Sequence, residues 1–263
     1  MEFLAQYSVM ELFLIGLSLF MIGMSKGGFP VGAIALPLLI LVWPAQAQAA
    51  RSAVGFMLPM LCIMDLVALS FYWKKVQWRR LGFLMPASLL GVAVASVLFV
   101  SDESSLISVS DRVLKIAIGM IGILFVVYFA TKKWILKHLH ASEPNWKTGS
   151  LFGFSAGITS TLAHAAGPVM KMYLLPQHLE KKKFAGTNCA YFWMLNLIKL
   201  IPFVLLGRIH PDNLKLGGAL LPVLPLGVAL GWWLTHKTKQ KHYTALIYAV
   251  LLITSITLIA KAL

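Results

Sequence analysis

The chain has 263 residues, of which 59% are apolar and 12% charged, and a formal net charge of +14. Soluble domains carry roughly twice that share of charge, so the composition argues against a water-soluble fold. The Lys and Arg fall in short clusters between apolar runs, which is a topological pattern and not a nucleic-acid-binding face.

Ten apolar segments follow one another: 3–24, 29–43, 52–73, 81–100, 113–130, 149–162, 165–175, 186–207, 216–235 and 243–262. The longer ones reach the roughly 20 residues that a helix needs to cross about 30 Å of hydrocarbon. The second, sixth and seventh are too short to do so comfortably. Glu2 and Glu11 precede or open the first segment, with no basic leader region before it, so that segment is expected to stay in the mature protein. Cys62 and Cys189 lie inside apolar runs, where cysteine behaves as a small hydrophobe. The polar stretch 132–148 divides the chain into a first half, 1–131, and a second half, 149–263, of five segments each.

Sliding one half over the other by 134 to 136 positions aligns Gly23 with Gly157, Met60 with Met194, Pro86 with Pro222 and Gly91 with Gly227. This is the signature of an internal duplication. Basic clusters follow the odd-numbered segments: Lys74, Lys75, Arg79 and Arg80; Lys132, Lys133 and Lys137; Lys181, Lys182 and Lys183; Lys237, Lys239 and Lys241. The opposite loops hold Asp102, Glu103 and Asp111 with Arg51, Arg112 and Arg208. Because basic short loops stay cytoplasmic, both termini are expected outside and the stretch 132–148 inside. Five segments per half then make the repeats inverted. The fold expected is all-α and integral to the membrane, with two inverted-topology repeats, each opening on broken or re-entrant helices.

The first break reads Gly23-Met-Ser25-Lys26-Gly27-Gly28-Phe-Pro30, and its counterpart reads Gly157-Ile-Thr159-Ser160-Thr161-Leu-Ala-His164-Ala-Ala-Gly167-Pro168. Glycines let backbone approach a ligand, prolines suit a first helical turn, and freed amides at a helix N-terminus favour an anion. Irregular backbone inside a membrane occurs where protein or a cavity satisfies it, so paired breaks point to a site. Ser25, Thr159, Ser160 and Thr161 offer hydroxyls and Lys26 a charge; the bland alternative is helix-packing glycines and a snorkelling lysine. His164 could carry a proton, donate to an anion, or be structural.

Asp65 and Lys199 are equivalent under the 134-residue offset and lie about two-thirds along their segments. Ionisable groups at such depth face the protein interior and have partners. Coupling and static pairing both fit. Asn196 shares a helix face with Lys199, one turn earlier.

These residues resemble the sulfite exporter TauE/SafE family, over nearly the whole chain. The likeness rests on Ser25-Lys-Gly-Gly28, on Asp65 followed by a basic loop and Val76-Gln-Trp78, on Gly157-Ile-Thr-Ser160 with Gly167-Pro168, and on Lys183-Phe-Ala-Gly-Thr187 leading to Asn196, Lys199 and Gly207. It implies an inner-membrane carrier of sulfite, a sulfonate such as sulfoacetate, or another small sulfur-containing or organic anion. The chain differs from the family pattern at His164, where Gly is usual, and at Pro30-Val31.

The expected mechanism is alternating access, the two breaks meeting near the midplane around the anion, with Ser25, Lys26, Gly27, Gly28, Thr159, Ser160, Thr161, His164, Gly167, Asn196 and Lys199 at the substrate. Asp65 and His164 are the coupling candidates, with protons as the coupling ion. A passive anion channel would use the same lining. No cofactor or metal is expected, nor an enzyme: no clustered ligand set falls within a span. The partners expected are the small anion and membrane lipid.

Overall fold

The computed structural model describes residues 7–27, 29, 31–44, 48–100, 110–138, 143–237 and 240–263. Among the described residues all regular structure is helical: α1 (Val9–Lys26), α2 (Gly32–Val42), α3 (Ala49–Ser70), α4 (Trp78–Ser96), α5 (Asp111–His138), α6 (Trp146–Ala163), α7 (Gly167–Leu174), α8 (Lys181–Leu205), α9 (Pro211–Leu220), α10 (Val223–Lys237) and α11 (Gln240–Ala260). Among the described residues five stretches are long and apolar enough to cross a membrane: Val9–Lys26, Ala49–Ser70, Trp78–Phe99, Asp111–Thr131 and Lys182–Leu205. The pair of α9 and the start of α10, bent by 50°, is a broken span or a re-entrant loop. Large apolar side chains such as Leu66, Leu90, Leu124, Ile201, Leu226 and Ile253 stand exposed, as lipid-facing surfaces require.

Local chemistry sets the helix ends. Ser8 and Glu11 form a reciprocal cap: the Glu11 amide donates to Ser8 Oγ at 3.2 Å and the Ser8 amide to Glu11 Oε2 at 2.8 Å. At α6, Asn145 Oδ1 accepts from the Thr148 amide at 2.9 Å, which extends the sixth segment to 18 residues. Its Gly, Ser and Thr keep it less apolar than the five spans. The helices α2 and α7, of 11 and 8 residues, rise only about 12 to 16 Å, half of a bilayer core. The ninth apolar segment, expected as one run, is divided between α9 and α10 at Leu221 and Pro222. Helix α5 continues to His138, into the stretch expected as a linker.

The chain forms two compact units. Unit 1 holds Met1–Met57, Val109–Val126 and Gly207–Leu263; unit 2 holds Leu58–Ser108 and Val127–Leu206. Each unit draws on both sequence halves.

Unit 1 is organised around the crossing of α1 and α10. A Cβ on Gly23 would run into the Leu224 carbonyl and lie 3.1 Å from Gly227 Cα; one on Gly227 would run into the Phe20 carbonyl. Unit 2 is organised around the crossing of α6 and α4. There a Cβ on Gly157 would lie 2.5 Å from Ser88 O and 3.1 Å from Gly91 Cα, and one on Gly91 would run into the Phe154 carbonyl. Position for position, Phe20, Gly23, Leu224 and Gly227 in unit 1 do what Phe154, Gly157, Ser88 and Gly91 do in unit 2. Small residues let membrane helices approach backbone to backbone. In both units that closeness needs a glycine on each helix.

Candidate functional site

Several of the polar side chains buried in unit 2 lie at the break between α6 and α7 and on one face of α8: Ser160, Thr161, Asn196 and Lys199. The last turn of α6 carries Thr159, Ser160 and Thr161. The Thr159 hydroxyl donates to Ser155 O and the Thr161 hydroxyl to Gly157 O, each at 2.8 Å. Their hydrogens are committed to the helix, so in this arrangement neither supplies the donor expected for an anion. Ser160 differs. Its Oγ accepts from Lys199 Nζ at 3.0 Å, and a hydroxyl that accepts keeps a hydrogen of its own to donate.

Helix α6 ends at His164, whose backbone is left-handed at φ 48 and ψ 32. Non-glycine residues take that conformation uncommonly, at a cost of about 1–2 kcal/mol, although His is among those enriched there. It turns the His164 amide back onto Ser160 O at 3.0 Å and the Ala165 amide onto Thr159 O at 3.3 Å. The same turn brings His164 Nδ1 to 3.0 Å from Lys199 Nζ. Gly167 then opens α7, with Pro168 in its first turn. A Cβ on Gly167 would meet no atom within 4 Å, so packing does not require a glycine there.

Lys199 is wholly buried, and its Nζ lies 3.0 Å from each of Ser160 O, Ser160 Oγ and His164 Nδ1. Three acceptors match the three N–H bonds of an ammonium. One turn earlier on α8, Asn196 donates through Nδ2 to Asp65 Oδ2 at 2.7 Å. Asp65, Asn196 and Ser160 are also buried, whereas His164 is only half-buried. Unit 2 therefore brings five of the expected site residues together in two sets one turn apart on α8: Lys199 with Ser160 and His164, and Asn196 with Asp65.

The first break lies in unit 1. Ser25 and Lys26 are exposed on the last turn of α1. A Cβ on Gly32 would come within 2.5 Å of Ser25 Oγ, so Ser25 packs on the first residue of α2. Gly27 is right-handed, φ −71, and its amide bonds Gly23 O at 3.1 Å. Gly28 and Pro30 lie outside the described residues.

Two buried polar groups escape a reading of the sequence. In unit 2, Tyr191 OH lies 2.8 Å from Ser88 Oγ, which donates to Leu84 O at 2.9 Å; the tyrosine is thus the donor of that pair, on the crossing itself. In unit 1, Asp111 at the start of α5 accepts from the Ala50 and Arg51 amides at 3.3 Å, capping α3 from outside, and pairs with Arg51 Nη1 and Lys115 Nζ at 3.3 Å. Arg208 Nη1 reaches Gln48 Oε1 at 3.4 Å. Burial, and then the charge of Arg51, lower the Arg208 guanidinium from its ordinary value. Arg51, Asp111 and Arg208 sit at segment ends in the sequence, where they look like loop charges.

The family model for sulfite exporter TauE/SafE matches residues 12–258. No curated protein and no solved structure matches the chain.

Proposed function

The chain belongs to the TauE/SafE sulfite exporter family, and from that premise we propose that it is a secondary transporter, moving sulfite, a sulfonate such as sulfoacetate, or a similar small anion across the bacterial-type inner membrane by alternating access. The observation that carries this reading is the Lys199 ammonium, wholly buried at a helix break and held by Ser160 and His164. A buried charge is costly and in a membrane segment marks a substrate or ion pathway. A tetrahedral or planar oxyanion fits such a position, since an ammonium, the Ser160 hydroxyl and the Asn196 amide are all donors. Asp65, bonded to Asn196 on the same face of α8, would link the anion to its coupling ion, for which protons are proposed. Lys26, exposed on α1, would attract the anion from the aqueous side.

Two inverted repeats, 1–131 and 149–263, with both termini outside and 132–148 cytoplasmic, complete the proposal. The matching glycine crossings support it: their members are related by the 134- to 136-residue offset, and each crossing joins a helix of one half to a helix of the other. The basic loops support the orientation.

The test is uptake into proteoliposomes from a panel of sulfite, sulfate, sulfoacetate, taurine and oxalate, with and without a pH gradient. Accumulation of a sulfur anion against its gradient is the expected result. Flux that only dissipates a gradient would make the protein a channel, and no flux of any anion would overturn the reading.

A further inference from the structure

The contact between His164 and Lys199 can exist in only one arrangement of protons if the lysine is charged. An ammonium has no acceptor, so Nδ1 must be the unprotonated nitrogen and the ring hydrogen must sit on Nε2. A protonated imidazole has N–H on both nitrogens. It would then set a donor against a donor and like charges against each other at 3.0 Å, and the contact could not survive.

From this we propose that His164 is a proton-operated latch on Lys199: the neutral ring occupies the ammonium through Nδ1, and a proton taken up there releases the ammonium to an anion oxygen. The inference rests on the anion-carrier reading and deepens it, because it makes proton and anion bind together at one place. Two further observations favour it. His164 is only half-buried while Lys199, Ser160, Asn196 and Asp65 are buried, so it is the most accessible group of the five. The chain also keeps a bulky side chain at a left-handed position, φ 48, where the turn sets Nδ1 against Lys199 Nζ.

The titratable and charged side chains carried by the elements that meet at the break are Lys199 and Tyr191 on α8, Lys171 and Tyr173 on α7 and, through Asn196, Asp65 on α3; Tyr191 OH is on Ser88 Oγ and Tyr173 OH donates to Arg80 O. Of these, Lys199 is the one whose Nζ lies at hydrogen-bonding distance of Nδ1. Protonation adds a second positive charge beside the first, so the site binds an anion more tightly once the ring has taken up its proton.

The experiment uses the purified full-length protein and sulfoacetate, whose charge is constant above the carboxylate range. Binding is measured from about pH 8.5 to about pH 5.5, on either side of the imidazole value. Wild type should gain roughly tenfold or more in affinity as pH falls, the size of an ordinary coupling between two ligands. In His164→Asn, Oδ1 stands where Nδ1 stood and cannot take a proton, so affinity should be weak and flat with pH. His164→Gly suits the left-handed backbone and removes the latch, so affinity should be flat with pH and, at high pH, tighter than that of wild type. A pH dependence retained in His164→Gly would overturn the latch.

Nitrogen-15 spectra of histidine-labelled protein decide the matter without any ligand. At alkaline pH the signals missing from His164→Gly should be those of an Nε2–H ring whose Nδ1 accepts a hydrogen bond, and Lys199→Met should shift the Nδ1 signal to that of a nitrogen without the ammonium donor. An Nδ1–H ring, or spectra that Lys199→Met leaves unchanged, would sink the latch even if no anion bound. Absence of binding by every variant, with the expected spectra, would instead count against the carrier reading alone.

Discussion

Units 1 and 2 are built on the same crossing of two glycine-bearing helices, yet they bury charge to different ends. In unit 1 the buried charges are Arg51, Asp111 and Arg208, with Lys115 joined to Asp111 at the start of α5. Asp111 caps α3. In unit 2 the buried ammonium of Lys199 sits at a broken helix, on Ser160 and a histidine held in a left-handed turn. The same crossing is thus kept in both units by backbone closeness, and a few side chains laid over it make the units differ. The breaks differ in the same way: at the first, Ser25 packs on Gly32 and Lys26 is exposed, whereas at the second the polar groups turn inward.

The largest expected effect tests the structural part of that contrast. Asp111→Ala removes the cap of α3 and leaves Arg51 and Lys115 without their shared carboxylate, which should cost about 3–5 kcal/mol. Thermal unfolding in detergent reads the loss, and the protein that stays folded should bind anion with wild-type affinity. A selective loss of affinity would move the site toward unit 1.

Next come the crossings. Gly23→Ala and Gly157→Ala force a Cβ onto a carbonyl in each unit, and each should destabilise by about 1–3 kcal/mol. Gly82→Ala, whose Cβ meets nothing within 4 Å, should gain up to about 1 kcal/mol from helix propensity. Unequal costs at Gly23 and Gly157 would break the equivalence of the two crossings.

A double-mutant cycle of Asp65→Asn with Asn196→Leu should show coupling of about 1.5–3 kcal/mol, the range of a hydrogen bond to a charged group. Additive losses would mean that the 2.7 Å contact contributes little. The smallest effect is expected for Thr159→Val and Thr161→Val, because both hydroxyls donate within α6. Anion affinity should change less than about threefold, under 1 kcal/mol. A larger change in either variant would return that hydroxyl to the substrate.

Much of this was legible before any coordinates. Apolar runs and Gly-Pro breaks located the helices, since burial in lipid allows few other patterns, and the offset aligning Gly23 with Gly157 and Gly91 with Gly227 found four residues of the two crossings. It could not say that each pairs with the other half's glycine. The depth of Asp65 and Lys199 marked them as interior, but their partners depend on helix rotation. That Thr159 and Thr161 bond back to their own helix, while Ser160 faces Lys199, is likewise a matter of which way each side chain points around a turn. The left-handed backbone at His164 had no signal of its own, because the residue there is not glycine. Arg51 and Arg208 were misleading, since a charge at the end of an apolar run reads as a loop charge whether or not it is buried.

Counterflow through Lys199 tests the central proposal most directly. Vesicles loaded with the unlabelled anion that the uptake panel selects, and diluted into labelled anion, should transiently accumulate label with the wild-type protein. With Lys199→Met, inserted and folded to the same level, accumulation should fall by more than about tenfold, a loss of at least 1.4 kcal/mol. Counterflow by Lys199→Met at the wild-type rate would contradict a substrate site built on that ammonium.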